Sequence, residues 1–439
     1  MKKVQCSKIG ADVVDVVSLG CSKNLVDSEF LAKQLELSGY TVHFDPQVST
    51  GRIVIINTCG FIGDAKEESV NMILEYVEAK KAGLVDKLFV MGCLSERYAD
   101  DLKSEIPEVD KFYGKFAWKE IVADLGKQYS DAHSIQRSLS TPSHYAYVKI
   151  AEGCNQHCAY CAIPIITGKY KSRPIEEIVS EVEWLVSQGV REFQIIAQDL
   201  TYYGKDLYGK FNIAELVEKI SDVDGVEWIR LHYAYPTQFP YDLLRVIRER
   251  ENVCNYLDIA LQHVNNDVLK SMKRRITKQE TMELIERVRE EVPGICLRTT
   301  LMVGFPGEAA EQFDELCDFV REVRFDRMGA FQYCEEEGTP AAKLEDDVLP
   351  EEKLRRYEEL MSIQENIMEE LNAQKVGKVF RVVIDSVEDD YYVGRTEFDS
   401  PDVDSDVLIP IDDVELDLGG FYNVEIVDSE CLSLYGRVI

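Results

Sequence analysis

The stretch Gly153-Cys154-Asn155-Gln156-His157-Cys158-Ala159-Tyr160-Cys161 decides the fold. It follows a hydrophobic run, Tyr145 to Ile150, and opens a turn. Three thiolates spaced Cys-x-x-x-Cys-x-x-Cys can hold three corners of an iron–sulfur cube and leave the fourth iron bare. A bare iron beside a loop is a place for chemistry as well as electron storage. Zinc is the alternative, with His157 as a fourth ligand, but zinc sites usually pair two Cys knuckles and no second one follows nearby.

Downstream, the run before this turn is the first of six candidate strands. The others are Phe193–Gln198, Trp228–His232, Leu257–Leu261, Leu297–Val303 and Met328–Tyr333. Amphipathic stretches lie between them, such as Ile175, Ile178, Val179, Val182, Leu185 and Val186, stopped by Gly189. Six strand–helix units fall short of the eight that close a full barrel. Residues 141–372 are therefore predicted to form an open three-quarter TIM barrel, (βα)6, plus a connecting helix. That helix is read from the spacing of Leu354, Tyr357, Leu360, Met361, Ile367, Met368 and Leu371. Residues at strand carboxyl ends are site candidates in such a barrel. They include Gln198 and Asp199 after the second strand, Arg298 on the fifth, and Glu308 in the turn Gly304-Phe-Pro-Gly-Glu308. Cys334 also lies near a strand end and is read as packing.

Upstream, residues 1–135 alternate strands and helices. Apolar runs at Val13–Leu19, Ile53–Ile56 and Leu88–Met91 are separated by amphipathic stretches from Leu25 to Leu37 and from Ala65 to Lys81, closed by Gly39 and Gly83. The pattern predicts a parallel α/β sheet with right-handed crossovers. A cysteine in a glycine-containing turn follows each strand: Cys21, Cys59 and Cys93, spaced by 38 and 34 residues. The carboxyl ends of parallel strands share one edge, so these three thiols are expected to converge as a second iron–sulfur trio.

Residues 375–439 change character. Short β-like runs at Val379–Ile384, Tyr391–Thr396, Val407–Ile411, Tyr422–Val427 and Ser433–Val438 suggest a small barrel of oligonucleotide-binding type. From Val376 onward there are 16 Asp or Glu against 4 Lys or Arg, a net of −12. RNA-binding domains need the opposite sign. The run from Asp399 to Asp406 is especially acidic, and the barrel is therefore expected to face a basic protein, with a merely solvated acidic face as the alternative. The whole chain carries a net charge of −31, which repels phosphate backbones. No window approaches the length of a membrane span. Asp12 and Asp15 interrupt the stretch after Met1-Lys2-Lys3, so no signal peptide is expected. A cytoplasmic protein keeps its thiols reduced, so the 12 cysteines are read as metal ligands and small core residues.

The cysteine loop after the first barrel strand resembles that of the radical S-adenosylmethionine superfamily. Three strand-end cysteines before it and a small β-barrel after it make the whole chain resemble the methylthiotransferases, whose C-terminal barrel is the TRAM domain. Leu19-Gly-Cys-Ser-Lys-Asn-Leu-Val-Asp-Ser-Glu29, Asn57-Thr-Cys-Gly-Phe-Ile62, Ala197-Gln-Asp-Leu-Thr201 with Tyr203-Gly-Lys-Asp206, and Gly394 to Asp404 resemble the RimO branch. One departure is Ala260, where the family often has proline.

The resemblance implies two 4Fe–4S clusters. Cys154, Cys158 and Cys161 would hold the radical-generating one, and Cys21, Cys59 and Cys93 the sulfur-bearing one. It also implies S-adenosylmethionine used twice, once to methylate the sulfur and once to give a 5′-deoxyadenosyl radical. Tyr160, Gln198, Asp199, Arg298 and Glu308 are then expected near that cofactor. The implied substrate is an aspartate β-carbon of the basic ribosomal protein S twelve, with a flavodoxin-type reductant. The neighbouring branch, which modifies transfer-RNA adenosine, is the alternative.

Overall fold

The computed structural model describes residues 5–6, 12–46, 48–411, 415–430 and 432–439; the Met1-Lys2-Lys3 start lies outside them. The first sheet contains β1 (Val13–Ser18), β2 (Thr41–Phe44), β3 (Ile53–Thr58), β4 (Lys87–Gly92) and β5 (Lys111–Phe112), all parallel in the order β2-β1-β3-β4-β5. Its central strands read as continuous apolar runs because both faces are covered. Val54, Ile56 and Val90 pack to one side, and Val16, Ile55 and Phe89 to the other. Each such fully buried side chain contributes about 1.5–3 kcal/mol. Helices α1 (Ser22–Leu37), α2 (Gly63–Lys81) and α3 (Cys93–Glu105) each start at or just after one of the predicted cysteine turns. The short β2 and β5, at the sheet edges, carry too few apolar residues to stand out in the sequence.

The second sheet contains β6 (Tyr145–Lys149), β7 (Glu192–Ile196), β8 (Trp228–Ala234), β9 (Val253–Gln262), β10 (Cys296–Val303) and β11 (Arg327–Gln332). All pairs are parallel, in the order β11-β10-β9-β8-β7-β6, and the sheet is left open. Alternate residues such as Phe193, Ile195, Ile229, Leu231, Leu257 and Leu297 pack beneath the outer helices. The residues between them line the inner face. There Gln194 meets His232 at 2.7 Å, and Asp258 meets Arg298 at 3.5 Å. The connecting helix α4 (Pro350–Ala373) packs against β11, where Leu360 and Ile367 join the barrel core.

The third unit is a closed barrel of β12 (Val379–Glu388), β13 (Tyr391–Thr396), β14 (Asp406–Pro410), β15 (Phe421–Ser429) and β16 (Ser433–Val438). Its core is Val382, Ile384, Val407, Ile409, Val424, Ile426 and Leu434. This unit sits under the amino ends of the (βα)6 strands. Arg395 donates to Glu192, the first residue of β7, at 2.7 Å. Arg327, the first residue of β11, donates to Asp399 at 3.1 Å, and Tyr256 Oη donates to Asp404 at 3.0 Å.

These contacts take part of the barrel's acidic charge into the interior. Asp399 and Asp404, from the acidic run, pair with Arg327 and Arg298 of the same chain. The amino ends of the strands present buried arginines, and the acidic loop satisfies them. Asp389, Asp390, Asp417, Asp428 and Glu430 remain on the surface of the small barrel.

Candidate active site

Cys21 is the residue before α1, Cys59 follows β3, and Cys93 opens α3 after β4. Because β1 and β3 are neighbours and β4 is next, their carboxyl ends bring the three turns together. Close packing fixes the turns. Gly20 has φ +92°, and a Cβ there would lie 2.6 Å from Cys59 Cβ and 2.9 Å from its Sγ. No residue but glycine fits. Ser69 of α2 accepts from the Cys59 amide at 3.0 Å and donates to its carbonyl at 3.1 Å. Asn24 donates to the carbonyls of Leu19 and Thr58 at 3.0 and 3.1 Å, and accepts from Cys93 Sγ at 3.5 Å.

The second trio follows β6. Gly153, at φ +72°, lets the chain pass so close to Lys169 that a Cβ would lie 2.2 Å from that carbonyl oxygen. Cys154 Sγ accepts from the Gln156 amide at 3.4 Å. Cys158 Sγ lies 3.7 Å from both Tyr235 Oη and Arg274 Nη1. Burial pushes the thiols of Cys93 and Cys161 up to about 12 and raises those of Cys59 and Cys154. Such thiols surrender their protons to a metal far more readily than to water.

All six cysteines line one cavity of ≈ 300 Å³ between the first sheet and the barrel mouth. Its wall carries Lys23, Lys115 and Arg274 and no Asp or Glu. In a chain of net charge −31 this is a local reversal of sign, suited to thiolate-rich clusters and anionic ligands. Among the described residues no three Cys, His, Asp or Glu side chains are grouped as ligands of a single ion. His157, the fourth donor a zinc site would need, is exposed and absent from the cavity wall. The donor set, two thiol trios without a fourth ligand, fits two clusters that each keep an open corner.

The other sequence candidates divide. Tyr160 and Gln198 line the cavity. Asp199 stands behind it: its carboxylate caps the turn at Thr201 and Tyr202 and accepts from Gln156 Nε2 at 2.9 Å, so it braces the cysteine loop. Arg298 and Glu308 are not brought to the cavity. Arg298 lies near the amino end of β10, paired with Asp258 and Asp404. Glu308 turns back on its own loop, accepting from the amides of Gly304 and Phe305, with Arg356 at 3.6 Å. Cys334 lines a second cavity, described below.

Several residues escaped the sequence. Lys115 is 1% exposed, 3.2 Å from Glu152 and 3.7 Å from Asp27, and Lys149 joins the same buried network. Arg274 reaches the site from beyond β9 and packs over the Tyr235 ring at 4.2 Å. Neither has a local sequence signal. Lys23 had one, its place two residues after Cys21. Tyr233 and Gln262, at the ends of β8 and β9, have φ of 65° and 72°. Non-glycine residues held in this region cluster at functional sites.

Comparison with known proteins agrees with this layout. Residues 13–114 match the uncharacterized protein family UPF0004, residues 148–320 the radical SAM superfamily, and residues 376–439 the TRAM domain. A ribosomal protein uS12 methylthiotransferase RimO of Bacteroides thetaiotaomicron is 60% identical over 427 residues, 97% of this chain and 98% of that protein. One from Christiangramia forsetii is 52% identical over 97% of this chain and 94% of that protein. Among solved structures, the radical S-adenosylmethionine methyltransferase TsrM of Kitasatospora setae superposes with a TM-score of 0.54 at 14% identity, covering 76% of this chain and 77% of that one, a likeness of fold. With such identity along nearly its full length, the chain belongs to the RimO family of radical S-adenosylmethionine methylthiotransferases and is a transferase.

Proposed function

We propose that this transferase places a methylthio group on the β-carbon of an aspartate of ribosomal protein uS12, with two 4Fe–4S clusters and two molecules of S-adenosylmethionine. The observation that carries the proposal is the meeting of both cysteine trios on one cavity. A β-C–H bond resists acid–base chemistry, so the bound cofactors supply one-electron cleavage of S-adenosylmethionine and the sulfur to be inserted. The chain's residues bind, orient and exclude water. Cys154, Cys158 and Cys161 would hold the cluster that supplies the electron for S-adenosylmethionine cleavage, and Cys21, Cys59 and Cys93 would hold the one that supplies sulfur. Tyr160 and Gln198 face the cofactor, while Asp199 steadies the first trio through Gln156.

Access fits a protein substrate. A cavity of ≈ 810 Å³ adjoins the first through Phe61 and Tyr160 and runs along β11 past Phe331, Tyr333 and Tyr357. It lies on the unclosed side of the barrel, where a loop of a large substrate can enter. The carboxylates left on the small barrel's surface suit a basic ribosomal protein. We assign residues 1–135 to the sulfur-bearing cluster, 141–372 to radical generation and 375–439 to docking, in a cytoplasmic enzyme served by a flavodoxin-type reductant. Among the described residues no helix is long and apolar enough to cross a membrane.

The test is mass analysis of uS12 after anaerobic incubation with the reconstituted, reduced enzyme. A methylthio mass increment on one aspartate is expected. An unmodified uS12 alongside methylthiolated transfer RNA would replace this assignment with its rival.

A further inference from the structure

We infer that Lys23 grips the carboxylate of the substrate aspartate. This rests on the assignment of uS12 as substrate and names the group that recognises it.

Three cations line the cavity between the cysteine trios, and two of them are already engaged. Lys115 Nζ is held by Glu152 at 3.2 Å and by Asp27 at 3.7 Å. Arg274 lies over the Tyr235 ring, donates to the Ala260 carbonyl and reaches Cys158 Sγ at 3.7 Å. Lys23 differs. It is 6% exposed, and among the described residues its ammonium makes no ion pair and no hydrogen bond. It lies over the Tyr233 ring, whose centroid is 3.6 Å from Nζ.

The stem of Lys23 is buried while its ammonium opens on the cavity, so its N–H groups are free to meet a ligand there. A cation–π contact orients it but supplies no acceptor for its three N–H groups. The cavity wall offers no carboxylate to complete it. A ligand bearing one would do so, and the aspartyl side chain of the proposed substrate is such a ligand. The position suits the chemistry as well. Lys23 is two residues from Cys21 and lies against Tyr233 at the end of β8, so it bridges the first sheet and the barrel mouth. A carboxylate held there lies in the cavity that both trios line.

The decisive comparison uses Lys23→Met, which keeps the length and apolar stem of the side chain, with Lys23→Gln as a second, smaller neutral variant. Each is assayed on uS12 and on a uS12 variant with asparagine at the modified position. Binding is followed by fluorescence anisotropy, product by mass spectrometry, and cluster loading by iron content and visible spectrum. Removing one partner of a desolvated charge pair weakens binding on the order of 100-fold. We expect that loss for aspartate uS12, mostly in KM and Kd, with iron content unchanged. For asparagine uS12, wild type and variants should bind alike.

Wild-type affinity of either variant for aspartate uS12 would overturn the inference. So would equal losses on both substrates, or a fall in iron content, which are the marks of a lysine that only supports the Cys21 turn. A wild-type enzyme that leaves aspartate uS12 unmodified would instead refute the substrate assignment, and this inference with it.

Discussion

The two ends of the (βα)6 barrel use the same residue types to opposite effect. At the floor, buried charges are paired across to the small barrel. Glu192 lies between Arg230 and Arg395, Asp399 meets Arg327, and Asp385 meets Arg395 and His144. Despite complete burial, Arg395 and Arg230 hold the Glu192 carboxyl below the usual range. At the mouth, thiols and cations face a cavity. Lys23 there lacks a counter-charge, and the buried Gln262 Oε1 and Arg274 Nε lack hydrogen-bond partners. At the floor the buried charges are matched. The mouth is an interior that a cofactor and a substrate would complete. Unpartnered groups that line a cavity leave hydrogen bonds for a ligand to complete.

Breaking the mouth should remove chemistry and leave the fold. Cys158→Ala is expected to abolish both 5′-deoxyadenosine formation and methylthiolated product, read by liquid chromatography and mass spectrometry. Cys59→Ala should keep 5′-deoxyadenosine formation and lose the product. Product from the Cys59 variant would mean that the two trios do not hold separate clusters.

Breaking the floor should do the reverse. Arg395→Met strips Glu192 and Asp385 of a shared partner in a dry interface. A loss of ~3 kcal/mol is expected in urea unfolding, with iron content of the folded protein unchanged. An unaltered midpoint would show that Arg230 alone satisfies Glu192.

Acid gives a gentler version of the same comparison. Burial would raise the Asp399 carboxyl, but Arg327 and then Lys375 overcome it and hold it at about 2, against an ordinary 3.8. A carboxyl depressed on folding stabilises fully above its unfolded value and less as pH falls from 3.8 towards 2. That contribution is ~2 kcal/mol, and Asp399→Asn should flatten the pH dependence of stability in this window. A profile identical to wild type would separate Asp399 from the acid sensitivity of the floor. At the bottom of the scale, Lys119→Ala removes a pair with Asp131 in which both side chains are largely exposed, and no measurable shift in Tm is expected.

The sequence made the strands of all three units legible because each had a strong local pattern. The six (βα)6 strands were found within a few residues, and Tyr391–Thr396 and Ser433–Val438 coincide with their predicted limits. The edge strands Thr41–Phe44 and Lys111–Phe112 were missed, since a short, half-exposed strand has no apolar run to announce it. At the site, Tyr160 and Gln198 reach the cavity. Arg298 and Glu308 do not, because proximity to a strand says nothing about which end of the barrel a side chain serves. Arg298 sits near the amino end of its strand, and Glu308 folds back to cap its own turn.

What the sequence determined by itself is the order of elements and the placing of a cysteine at each turn. Thiol spacing within a loop and after successive strands is local information, and the geometry of parallel sheets does the rest. Only the tertiary structure decided how charges are shared. The run from Asp399 to Asp404 stood out in the sequence only as the most acidic part of the barrel, yet it meets arginines from strands more than seventy residues away. Lys23, in the first turn of α1, ends in a cavity wall that carries no carboxylate. Pairing depends on distance in space and on exclusion of water, and neither is written in the neighbours of a residue along the chain.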